Sequence, residues 1–147
     1  MKKILFKSGS TMMGGLEKVQ IEYINFLLEQ EKYQVKIVIE NDNGKDNALE
    51  KYINSKIIYL KDFNYILKIR KLRKNRKKSL WSRLKYNFAI SKEEKYANEK
   101  FLQIYKEYKP DIVLMDVKMP ELDGIEAARQ IGFHHEAPVV LLTSYSQ

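Results

Sequence analysis

A three-layer α/β fold, with a five-stranded parallel sheet in the order 3-2-1-4-5 and helices on both faces, is predicted by three observations. Short apolar runs alternate with segments whose apolar residues recur every three to four positions. Clusters that favour turns bound the runs, as at Ser8-Gly9-Ser10 and Asn41-Asp42-Asn43-Gly44. The run DIVLMDV, from Asp111 to Val117, is almost continuously apolar with an acid near its end, the pattern of a strand covered on both faces.

Strand 1 is KKILF, Lys2 to Phe6. Helix 1 follows Gly14-Gly15, with Leu16, Val19, Tyr23, Ile24, Leu27 and Leu28 at helical spacing. Strand 2 is QVKIVIE, rich in β-branched residues. A short helix carries Ala48, Leu49, Tyr52 and Ile53, and KIIYL, Lys56 to Leu60, is strand 3. Residues 62–90 form one or two basic helices. A further helix is expected to begin at Ser91, where Ser91 and Glu94 have capping-box spacing, and to carry Ala97, Phe101, Ile104, Tyr105 and Tyr108 before Pro110 stops it. DIVLMDV is strand 4, GIEAARQI a helix and APVVLLTS strand 5. With strands 1 and 4 as central neighbours, the loop from Lys7 to Gly15 faces Asp116 across the crevice at the strands' carboxyl ends, where such sheets place their sites.

A length of 147 residues and an apolar share of 44% suit one domain, 1–147, with a core that needs no metal or disulfide. The absence of cysteine excludes a disulfide framework, a thiolate metal site and a thiol nucleophile, and makes the cytoplasm the default compartment. The N-terminus opens with lysines, but only Ile4, Leu5 and Phe6 precede Lys7, too few for a signal peptide. No stretch approaches the roughly 18 apolar residues of a membrane span. A soluble or membrane-peripheral protein is expected.

The net charge of +8 is concentrated. From Asn64 to Lys92 there are eleven cations, including Arg70, Lys71, Arg73, Lys74, Arg76, Lys77 and Lys78, and no acid; the rest of the chain is mildly acidic. With Trp81 and Phe88 among the cations, this segment suits an anionic membrane surface. Nucleic acid is the weaker expectation, since no helix-turn-helix or aromatic RNA-binding motif accompanies it. No oligomeric state can be read from the residues. His134-His135 are adjacent, lack the spacing of a metal pair and have no third ligand, so no metal site is assigned to them.

Residues 1–112 resemble the N-terminal domain of GT-B-type glycosyltransferases, through KKILFKSGSTMMGGLEKVQIEYINFLLEQEKYQVKIV and YKEYKPDIV. That resemblance implies a Rossmann-like domain in which Gly14 and Gly15 form a loop approaching a donor diphosphate and an acceptor. Close backbone approach at glycine and the anion preference of a helix N-terminus agree with it. From about residue 110 to 147 the chain resembles the flavodoxin-like receiver domain of response regulators, through DIVLMDVKMPELDGIEAARQI and APVVLLTSYSQ. This second resemblance implies that Asp116 is the phospho-acceptor, Lys118 occupies the metal-coordinating carbonyl position and Thr143 is the switch hydroxyl.

Phosphoryl transfer to a carboxylate needs a cation on the phosphoryl oxygens, and Mg²⁺ needs several oxygen ligands. Receivers supply an acidic pair at the end of strand 1, where this chain has Phe6-Lys7-Ser8-Gly9-Ser10; a later strand's lysine is also not found before Gln147. Lys7 is expected to pair with Asp116 instead. The leading expectation is thus a designed or fused chimera, glycosyltransferase-like over 1–112 and receiver-like over 113–147, with no complete active site. No cofactor is expected, Mg²⁺ entering only if receiver chemistry survives. Two alternatives stand beside it: a glycosyltransferase fragment that takes its donor domain from another chain, and a receiver module phosphorylated at Asp116.

Overall fold

Pairing of β1 (Lys2–Ser8) on both edges organises the sheet. The structure, a computed structural model, describes residues 1–9, 15–44, 47, 49–116, 129 and 137–142. After β1 come α1 (Gly15–Glu29), β2 (Tyr33–Asn41), α2 (Leu49–Tyr52), β3 (Ile57–Lys61), α3 (Phe63–Asn75), α4 (Leu80–Tyr108), β4 (Ile112–Asp116) and β5 (Val139–Leu142). All pairings are parallel: β1 with β2 from Lys2↔Tyr33 to Ser8↔Ile39, and β1 with β4 from Ile4↔Ile112 to Lys7↔Met115. β3 adds to β2 and β5 to β4, giving the order β3-β2-β1-β4-β5. The order expected from the sequence is therefore observed, and strands from both sides of residue 112 share one sheet. The helix expected at GIEAARQI lies outside the described residues but for Arg129.

Alternation along the strands divides the interior into two cores. Leu5, Val38, Leu60, Val113 and Met115 pack with Ala97, Phe101, Tyr105 and Tyr108 of α4. Ile4, Phe6, Ile37, Ile39 and Leu114 pack with Ile21, Ile24 and Leu27 of α1 and with Leu49 and Ile53. The buried face of α1 is rotated from the expected one: Val19 and Tyr23 are exposed, and Gln20 and Ile21 are buried. A strictly apolar count missed this because Gln20 finds polar partners at the sheet edge.

The expected start of a helix at Ser91 is corrected. Ser91 lies inside α4, which begins at Leu80 behind the N-cap Ser79, whose hydroxyl oxygen accepts from the Ser82 backbone N–H at 3.1 Å. No glycine or proline interrupts residues 80–108, so one 29-residue helix continues through the capping-box spacing. It ends where Lys109 takes a left-handed conformation (φ 49°) and donates its N–H to the Tyr105 carbonyl, with Pro110 next. Gly44 has the expected positive φ of 61°, and a Cβ there would lie 2.9 Å from the Phe63 ring.

At the carboxyl ends of β1, β2 and β3 the interior holds charge. Lys7, Glu40 and Lys61 are all buried, with Lys61 Nζ 3.0 Å and Lys7 Nζ 3.5 Å from the two oxygens of Glu40. Lys7 Nζ also sits 4.5 Å from the Phe101 ring centre, where the π face offers a partner that the long contact to Glu40 does not. Burial pushes the Lys7 amine below its ordinary value of 10.5, against the opposing pull of Glu40.

Two expectations follow for stability. Glu40→Gln removes the carboxylate that faces both buried lysines and should cost about 3–5 kcal/mol in urea denaturation, whereas Lys7→Met should be neutral or stabilising. Because the folded-state value of Lys7 is depressed, the unfolded chain holds its proton to higher pH. Wild-type stability should therefore rise relative to Lys7→Met as pH climbs through the folded value towards 10.5, the gap being widest below it.

Candidate functional site

Asp116 closes β4 at the carboxyl edge of the sheet, between β1 and β5. It is buried, on the α1 side of the sheet, as is its neighbour in the strand alternation, Leu114. Ser8, the last residue of β1, and Gln20, in the second turn of α1, converge on it. Gln20 Nε2 donates to Asp116 Oδ2 at 3.3 Å, and the Ser8 hydroxyl lies 3.1 Å from Gln20 Oε1 and 3.5 Å from Asp116 Oδ2. Ser8 has one proton to give, so the shorter contact makes a relay from Ser8 through Gln20 to the carboxylate.

The expected Lys7–Asp116 pair is corrected by the same alternation. Lys7 and Ser8 are consecutive in β1 and point to opposite faces. Ser8 therefore meets Asp116 beneath α1, while Lys7 enters the Glu40 and Phe101 cluster beneath α4. Asp116 sits among neutral donors from these two side chains. Neither Ser8 nor Gln20 was singled out from the sequence. The available signal was Gln20 itself, a polar residue four positions before the buried Ile24 of helix 1.

Of the other residues assigned by resemblance, Gly15 is the first residue of α1, so it opens a helix on the sheet edge that carries Asp116. Gly14, Lys118 and Thr143 lie outside the described residues, as do His134 and His135. The basic residues Arg70, Lys71, Arg73, Lys74, Arg76, Lys77 and Lys78 are exposed on α3 and the turn after it. Arg70 donates to Asn43 Oδ1 at 3.3 Å, and Arg76 lies 5.6 Å from the Tyr86 ring centre.

Mg²⁺ prefers hard oxygen ligands, usually carboxylates, in an octahedral set. Around Asp116 the described side chains supply one carboxylate, a hydroxyl and an amide already joined to each other by hydrogen bonds. Among the described residues, no group of three or more His, Cys, Asp or Glu could hold a metal ion. These donors do not fit the ion.

Comparison with known proteins gives a consistent family. The model of the response regulator receiver domain matches residues 73–147, just over half of the chain, beginning inside α3 and well before the junction expected near residue 112. Transcriptional regulatory protein PdtaR of Mycobacterium tuberculosis is 58% identical over 40 residues, 27% of this chain and 20% of that protein. Transcriptional regulatory protein YdfI of Bacillus subtilis is 44% identical over 46 residues, 31% of this chain and 22% of that one. Chemotaxis protein CheY of Halobacterium salinarum is 47% identical over 47 residues, 31% and 39% of the two chains. The chain thus spans about a fifth of the length of the first two relatives. No solved structure matches the chain. The glycosyltransferase resemblance of residues 1–112, and the chimera built on it, gain no support from these matches.

The network around Asp116 has measurable consequences. Gln20→Leu removes a donor from a buried carboxylate and should cost about 1–3 kcal/mol of stability in chemical denaturation. Wild-type melting should be indifferent to added Mg²⁺. Ser8→Asp, whose carboxylate would enter a position now 3.5 Å from Asp116 Oδ2, should melt lower in chelator and regain stability with Mg²⁺.

Proposed function

The chain belongs to the response regulator receiver domain family, and on that premise we propose that it acts as a phosphorelay receiver module with Asp116 as its phospho-acceptor. The observation that carries this reading is the position of Asp116, which ends β4 next to the central strand and is buried in a polar network at the carboxyl edge of a 3-2-1-4-5 parallel sheet. That edge is where such sheets gather their chemistry. Gly15 begins α1 after the β1 end, so a helix N-terminus with its favourable potential for anions belongs to the same edge.

The reaction is attack by a carboxylate oxygen of Asp116 on the phosphorus of a small acyl phosphate. A P–O bond forms to Asp116, the P–O bond to the acyl group breaks, and the carboxylate of the donor leaves. Among the described residues, the groups nearest the phosphoryl oxygens are the Gln20 amide N–H, now given to this carboxylate, and the Ser8 hydroxyl, now given to Gln20 Oε1. Neutral donors stabilise the gathering charge less than a divalent cation does, so transfer should be slow. No step is routed through a metal, because the described donors do not fit one. The product exchanges a carboxylate of charge −1 for an acyl phosphate of about −2, a gain of roughly one negative charge and three phosphoryl oxygens at a buried position, which the Ser8–Gln20 relay cannot accommodate without rearranging. That rearrangement is the signal such a module would deliver.

Prolonged incubation of the full chain with acetyl phosphate, followed by intact mass measurement, tests the reading. An adduct of one phosphoryl group, formed in chelator as well as in Mg²⁺ and lost in Asp116→Asn, is expected. Absence of the adduct under both conditions, or its persistence in Asp116→Asn, would overturn the assignment.

A further inference from the structure

The first half of α4 carries large apolar side chains that are exposed. Every buried residue of this helix lies between Ala97 and Tyr108, while the preceding turns, Leu80 to Tyr96, hold none. At 1.5 Å per residue those turns extend roughly 25 Å. Along them Leu80, Trp81, Leu84 and Phe88 are 70%, 81%, 50% and 73% exposed. At 3.6 residues per turn these four side chains fall within an arc of about 100°, a stripe as wide as the buried face of an ordinary amphipathic helix. Here the stripe faces solvent.

Cations surround it. Lys85 and Lys92 flank the stripe on one side and Arg83 on the other, by the same helical geometry. α3 packs against α4 and adds exposed Lys68, Arg70, Lys71, Arg73 and Lys74, with Leu67 half-exposed among them. At the turn between the helices, Arg76, Lys77 and Arg83 converge with Leu80 and Tyr86 around an open cleft of about 710 Å³. From Asn64 to Lys92 no acid offsets these charges.

We propose that the α3–α4 hairpin is a docking surface for an anionic phospholipid bilayer, with Leu80, Trp81, Leu84 and Phe88 entering the headgroup boundary and the surrounding lysines and arginines meeting lipid phosphates. Charge complementarity selects this occupant. A second copy of the chain would set one cationic hairpin against another. Nucleic acid would satisfy the cations, yet the aliphatic Leu80 and Leu84 offer bases no stacking surface, while aromatic and aliphatic residues beside Lys and Arg suit an interfacial helix. No helix among the described residues is long and apolar enough to cross a membrane, so attachment is peripheral. The cationic ring would draw the protein to the surface, and the apolar stripe would hold it there.

Trp81 is the chain's single tryptophan and sits inside the stripe, so its emission reports insertion directly. The full chain is titrated with vesicles of equal parts phosphatidylserine and phosphatidylcholine, with phosphatidylcholine alone, and with single- and double-stranded oligonucleotides. A blue shift with protection from iodide quenching is expected for the anionic vesicles only, weakening as salt is raised. Leu84→Ser with Phe88→Ser should abolish the blue shift, and Arg73→Glu with Lys74→Glu and Lys77→Glu should reduce vesicle binding at least several-fold, with unchanged circular dichroism because all five positions are exposed. No blue shift on anionic vesicles at low salt would overturn the proposal. So would a shift that survives Leu84→Ser with Phe88→Ser, or tighter binding to oligonucleotides than to anionic vesicles.

Discussion

Everything at the carboxyl edge of the sheet depends on the pleat of β1 at Lys7 and Ser8. These neighbours lie at the end of the strand that pairs with both β2 and β4, and their side chains leave by opposite faces. One goes to the acid of β2 beneath α4, the other to the acid of β4 beneath α1. A shift of one residue in β1 would exchange them, placing an ammonium group beside Asp116 and moving Leu5 out of the α4 core. The register is held by Ile4, Leu5 and Phe6, whose alternating burial in the two cores leaves no second arrangement of comparable quality.

The two polar centres differ in kind because of this split. Beneath α4, two lysines share one glutamate, and Lys7 completes its surroundings with the Phe101 ring. That centre buries three ionisable side chains, which makes it a burden on stability that the flanking core offsets. Beneath α1, the described side chains that meet Asp116 are an amide and a hydroxyl, a gentler environment for a carboxylate and a poor set for a hard divalent cation. Membership of the receiver family and the make-up of this site therefore pull apart: the strand order agrees with the family, and the described donors around Asp116 do not fit a hard divalent cation.

Helix α4 joins the two ends of the molecule's behaviour. Its second half closes one core through Ala97, Phe101, Tyr105 and Tyr108, and Phe101 caps the buried lysine. Its first half carries the exposed apolar stripe away from the sheet. The helix is continuous from Leu80 to Tyr108, so one element carries both the stripe and the core residues.

Much of the architecture was legible in the residues. KKILF, QVKIVIE, KIIYL and DIVLMDV are each bounded by turn-forming residues or proline, and alternation with helices leaves few ways to order parallel strands. The end of α4 at Pro110 was equally plain, since proline restricts the residue before it. What the sequence could not decide was which way neighbouring polar residues point and whether residues 80–90 join the helix that follows them. Gln20 takes no part in the apolar pattern that predicts helix 1, and only the sheet edge supplies its partners; Ser91 has the spacing of a cap to Glu94, whereas Ser79 holds the cap. By itself the sequence determined the strand order and placed an acid at the end of β4. Only the tertiary structure decided that Ser8 and Gln20 face that acid while Lys7 faces Glu40, because which face a strand residue takes depends on the register of the strands beside it.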